Sequence, residues 1–165
     1  MGSKTEWYLE CAKDAVKFVM SKMTIGSANK FGDVVKSRGK SIFCVIGHSI
    51  EFSRLGNKQM EERLRIISVV AQKDGCGNCG EQAIIAFVYL MDNKGDVRPI
   101  ELFKFTNKDH NYVVIGRLRG SVIETPATWG PEAIICDPWK EAAYHARELS
   151  THWPESIPAV ICSLW

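Results

Sequence analysis

The chain has 165 residues, enough for one domain with a substantial core and short for two. Its 45% apolar and 24% charged residues are those of an ordinary globular protein. A net charge of +2, from 21 basic and 19 acidic residues interleaved along the chain, supplies no basic patch for nucleic acid.

Residues 5–23 place Tyr8, Cys11, Ala12, Ala15, Val16, Val19 and Met23 on one face at helical spacing, which predicts an amphipathic helix. Residues 26–40 are rich in Gly, Ser, Asn and Lys and read as a loop around Val34 and Val35. Residues 41–55 open with an apolar run that periodicity alone leaves open between a buried strand and a helix. Asn57 is the candidate cap of a helix over 58–72, with Met60, Leu64, Ile67 and Ala71 facing inward. Glycines then precede an unbroken helix-forming run that begins at Cys79.

Past the turn at 92–96 the period changes. Residues 97–106 alternate as a strand, with Pro99 favouring an edge or a strand start. Residues 110–117 are rich in β-formers and read as a central strand, and 133–136 as a short apolar strand ending at Asp137. Residues 140–149 look helical, and 157–165 read as a last strand. The order predicts a single α+β domain over 1–165, helices followed by an antiparallel sheet, without repeat or linker.

The longest apolar runs, 42–47 and 83–91, fall far below the roughly 18–20 residues that span a bilayer. The N-terminus carries no apolar signal core, and Glu6 stands where a myristoylation signal wants Ser or Thr. Six cysteines occur, at 11, 44, 76, 79, 136 and 162. A chain this apolar needs no disulfide staples, and Cys11, Cys44, Cys136 and Cys162 sit among apolar neighbours as free buried thiols do. The expectation is a reducing compartment. Arg117 and Arg119 read as solvated strand ends, and no role falls to His48, His145 or His152.

Three residues at element ends stand out. Cys79 opens a helix, where unsatisfied N–H groups and the positive dipole end favour a thiolate. Glu81, if close, acts against that. His110 opens one strand and Asp137 closes another. A thiol nucleophile needs an imidazole to take its proton and return one to the leaving amine, and the imidazole needs a carboxylate to fix its tautomer. The backbone N–H of Cys79 would face the developing oxyanion. Asp109, one residue before His110, should point to the opposite face.

At GCGNCGEQA, HNYVVIG and IICDPW the chain resembles the Cys–His–Asp core of papain-like and transglutaminase-like enzymes, closest to the cysteine hydrolase domains of bacterial effectors injected into host cells. The resemblance spans roughly residues 70–140. It implies Cys79 as nucleophile, His110 as base and Asp137 as orienting acid. It also implies acyl transfer or hydrolysis at a glutamine side chain or peptide amide of a protein substrate, after specialised secretion into a host cytosol; with no magnesium, nucleotide or haem motif in the sequence, no cofactor is expected. That family places a glutamine shortly before the cysteine to complete the oxyanion hole; Gln72, seven residues ahead, is the candidate. Trp129 and Trp139 are candidates for the cleft wall. Two other readings stand beside this one: a transglutaminase-like shell serving only to bind a partner, and thiol–disulfide exchange through Cys76 and Cys79. Oligomeric state is not legible.

Overall fold

The computed structural model describes residues 3–165. The reading on myristoylation turns on Gly2 and lies outside them. Five helices precede a five-stranded sheet: α1 (Lys4–Lys22), α2 (Phe31–Lys36), α3 (Lys40–Ser53), α4 (Met60–Asp74) and α5 (Cys79–Asn93), then β1 (Ile100–Phe105), β2 (Asn111–Ile115), β3 (Ile134–Asp137), β4 (Ala142–His145), a short α6 (Leu149–His152) and β5 (Pro158–Leu164). The strands run β4-β3-β2-β1-β5, every neighbouring pair antiparallel. The predicted α+β order is present, with β2 central. No helix among the described residues is long and apolar enough to cross a membrane.

Strand alternation divides the interior into two layers. Ile100, Leu102, Val113, Ile115, Ile134 and Cys136 face α1, α4 and α5, where Tyr8, Val19, Leu64, Ile85 and Leu90 complete one core. Phe103, Phe105, Tyr112, Val114 and Ile135 face the other way, onto Trp129, Tyr144 and Leu149. Helix α1 buries the face its spacing predicted, and Ser3 with Glu6 closes a capping box at its start.

Several expectations are corrected. Residues 31–36 form a helix rather than loop, and 40–53 resolve as helix. This pair forms an arm: α2 buries no residue, α3 buries only Ser41 and His48, and no residue of 31–55 belongs to either core. Gln59, not Asn57, precedes α4, and Met60, in the first turn, is exposed rather than facing inward. The expected helix over 140–149 is replaced at Ala142–His145 by strand β4 and at Ala146–Glu148 by a 3-10 turn, since β4 pairs along β3 and pairing outweighs the helix preference of its alanines. Arg117 is buried rather than solvated: its guanidinium donates to both carboxylate oxygens of the fully buried Glu101 at 2.6 and 2.9 Å.

Candidate active site

The loop between α4 and α5 sets the position of Cys79. Helix α4 ends at Gly75, whose φ of 72° suits glycine and where a Cβ would run into the Thr24 hydroxyl. The Gly75 carbonyl accepts from the N–H of Ile25 and Gly26, and Gly77 donates back to Gly26. Asn78 caps α5 in a capping box with Glu81, and its Oδ1 also accepts from the Ser27 hydroxyl and the N–H of Ala28 and Asn29. Gln82 braces the same loop, donating to the Gly77 carbonyl at 2.8 Å. Cys79 therefore opens α5 on a loop held from two sides. It is a free thiol, 5% exposed.

Because β2 and β3 are antiparallel neighbours, the start of one lies beside the end of the other. His110 and Asp137 meet there, Nε2 to Oδ2 at 2.8 Å, both shut from water. The same Oδ2 accepts the indole N–H of Trp153 at 3.1 Å, and Oδ1 the N–H of Lys140 at 3.2 Å. A carboxylate only accepts, so Nε2 carries the hydrogen shared with Asp137 and Nδ1 is the ring nitrogen left over. The ring stacks on Trp153, centroids 4.1 Å apart, and meets Trp139 edge-on at 5.6 Å. Trp139 donates to Asn29 Oδ1 at 2.7 Å, so residues 27–30 form a strap from the cap of α5 to the wall beside the imidazole.

The sulfur comes from the helix side of the sheet. It lies 3.9 Å from the Asp109 carbonyl oxygen and receives the N–H of Asn111, so it touches the backbone on both sides of His110. Sulfur and imidazole make no hydrogen bond to each other among the described residues. The expected thiolate preference is reversed. Burial pushes the Cys79 thiol up to about 11, and the carboxylates of Asp109 and Glu81 push the same way against the N–H groups of Asn111 and Gly80. Glu81 thus opposes ionisation of the thiol while it caps the helix.

Two other candidates lie elsewhere. Gln72 points along α4 and donates to the Ser68 hydroxyl, a full loop away from the thiol. Trp129 is fully buried against Phe103 and donates to the Val122 carbonyl, so it is core rather than cleft wall. Sequence reasoning missed Trp153, which has no spacing relation to Asp137, and Asn111, whose Nδ2 lies 3.5 Å from where a Cβ on Gly80 would sit.

Cys44 is not free: it forms a disulfide with Cys76. A disulfide belongs to oxidising conditions, which runs against the expected reducing compartment. It also engages Cys76 away from Cys79. His48, four residues past Cys44 on α3, is buried beside this pair and bonds to Asp74. Among the described residues, Cys44, His48 and Cys76 bring three potential ligand atoms within 4.8 Å of one another. No family model matches the chain, and no curated protein matches it.

Proposed function

We propose that the chain is a cysteine-dependent amide hydrolase or acyltransferase acting on a protein substrate. What carries the reading is the buried His110–Asp137 pair at the point where the Cys79 sulfur meets the backbone on either side of His110. Asp137 holds Nε2–H, so Nδ1 is the nitrogen that takes the thiol proton as sulfur attacks the carbonyl carbon. The resulting oxyanion faces the backbone N–H of Cys79 at the start of α5, with the Asn111 carboxamide replacing Gln72 as the nearby side-chain donor. Nδ1 then returns its proton to the leaving nitrogen, and water or an amine takes the acyl group from sulfur.

The resting thiol is neutral, so ionisation accompanies substrate binding rather than preceding it. Cys79 is 5% exposed, so its surroundings must yield for a substrate carbonyl to reach sulfur, and the strap at 27–30, bonded to the neighbouring Asn78, is the adjoining segment. The resemblance to effector hydrolases supports a glutamine side chain or peptide amide as the target.

A protein lysate is incubated with wild-type, Cys79→Ala or Cys76→Ser chain and compared by mass spectrometry. The expected result is a modification absent with Cys79→Ala and retained with Cys76→Ser. Amide-to-acid exchange at glutamine identifies deamidation, a cross-link identifies transfer, and a new terminus identifies proteolysis. Identical lysates with wild-type and Cys79→Ala would refute the proposal. The buried, protonated thiol favours a second reading, a binding shell without catalysis, which that same null result would support.

A further inference from the structure

We propose that Cys44, His48 and Cys76, once reduced, bind one thiophilic divalent cation of the zinc class. Their ligand atoms lie within 4.8 Å of one another and come from two separate elements. Cys44 and His48 stand one turn apart on the same face of α3, and Cys76 lies one residue beyond the Gly75 that ends α4.

The imidazole is prepared for a metal. Its Nε2 faces Asp74 Oδ2 at 3.1 Å, so the carboxylate fixes the hydrogen on Nε2 and leaves the Nδ1 lone pair free. A carboxylate behind a histidine is the usual second partner of a metal-binding imidazole. The Cys76 sulfur lies 3.8 Å from Nδ1 and 3.7 Å from Nε2, and the bond of Nε2 to Asp74 leaves Nδ1 as the nitrogen able to bind a metal. Zinc–sulfur and zinc–nitrogen bonds of about 2.3 and 2.0–2.1 Å at a tetrahedral angle separate the sulfur from the bound nitrogen by about 3.6 Å. Two thiolates and an imidazole select zinc over the oxygen-seeking magnesium and calcium.

The arm gives this cluster a structural task. Neither core includes a residue of 31–55, so a cross-link near Cys76 does for α2 and α3 what apolar burial does elsewhere. The disulfide is one form of that link and the metal is the other. Two electrons from an external dithiol break the sulfur–sulfur bond, giving two thiols while the dithiol closes to its own disulfide. One divalent cation then displaces two thiol protons and takes Nδ1 as a neutral donor, with water in the fourth position. The inference does not depend on the acyl-transfer reading.

The full chain is reduced with dithiothreitol, desalted without oxygen and titrated with cobalt(II), then with zinc. One equivalent of cobalt is expected to bring a thiolate-to-cobalt charge-transfer band and the intense visible bands of tetrahedral coordination, both erased by zinc. Cys79→Ser should retain them; the oxidised chain and Cys44→Ser should lack them. Asp74→Ala should bind cobalt at least about tenfold more weakly. Zinc should also shield two thiols, Cys44 and Cys76, from alkylation in peptide mass spectra. His48→Ala, which keeps both cysteines, serves where Cys44→Ser fails to fold, and should lose the tetrahedral bands. No charge-transfer band in the reduced wild-type chain would overturn the proposal. So would a band that survives Cys44→Ser or His48→Ala, or one that vanishes with Cys79→Ser.

Discussion

The protonation state of Cys79 gives a prediction that needs no knowledge of the substrate. With the thiol raised from 9.0 to about 11, only about one molecule in 10,000 carries the thiolate at pH 7, against about one in 100 in the unfolded chain. A less acidic thiol is the better nucleophile once ionised. A Brønsted slope of about 0.4–0.5 over two units returns roughly 6–10-fold of that loss. Iodoacetamide should therefore modify Cys79 in the native chain roughly 10–15-fold more slowly than in urea, before any shielding by burial. Between pH 7 and 10 the native rate should climb about tenfold per unit, levelling only near 11, as followed on the peptide containing Cys79 by mass spectrometry. A rate that is flat from pH 6 would mean a preformed thiolate–imidazolium pair. A plateau below pH 10 would mean that burial does not control this thiol. Either result would refute the reasoning.

The same shift has a stability consequence. Above pH 9 the unfolded thiol ionises while the folded one stays neutral, so Cys79 lowers stability by about 2 kcal/mol as pH rises to 11. Urea denaturation of wild-type and Cys79→Ala chains should diverge in that window and run parallel below it. Trp139→Phe keeps the ring but deletes the N–H that holds Asn29, and Cys79 alkylation at pH 9 should quicken by roughly 2–10-fold, the worth of one hydrogen bond. Asp137→Ala strands three donors, His110 Nε2, Trp153 Nε1 and Lys140 N, and should cost about 3–6 kcal/mol in urea denaturation. Glu101→Leu alone should cost about 3–5 kcal/mol by leaving Arg117 buried and unpaired, whereas Glu101→Leu with Arg117→Met should recover most of it in the same measurement.

Legibility in the sequence followed how local each cause was. Helices α1 and α5 repeat their apolar residues every turn, and β2 and β3 are short runs of β-formers, so both layers could be read in order. The meeting of His110 and Asp137 was legible because each ends a strand, and antiparallel neighbours bring a start beside an end. The arm was not legible: Phe31, Phe43 and Ile46 lie exposed, so no buried stripe marks the helices. Pairing with β3 overrode the alanines of β4, a long-range effect that no window contains. At Cys79 the helix start was local and visible, while burial, which wins, depends on the folded chain. Trp153 reaches Asp137 across 16 residues and Cys44 reaches Cys76 across 32, and neither interval carries a pattern.

The arm formed by α2 and α3 lends no side chain to either interior, and it is tied to the body by the Cys44–Cys76 disulfide, the His48–Asp74 bond and the Ser27–Asp33 bond, close to the loop that carries Cys79. Such a piece is modular. Residues inserted into it or removed from it should leave the sheet packed as it is, provided the strap and the Gly75 turn remain. A change at that edge then alters the surroundings of the thiol, while the imidazole and carboxylate keep their places just before β2 and at the end of β3.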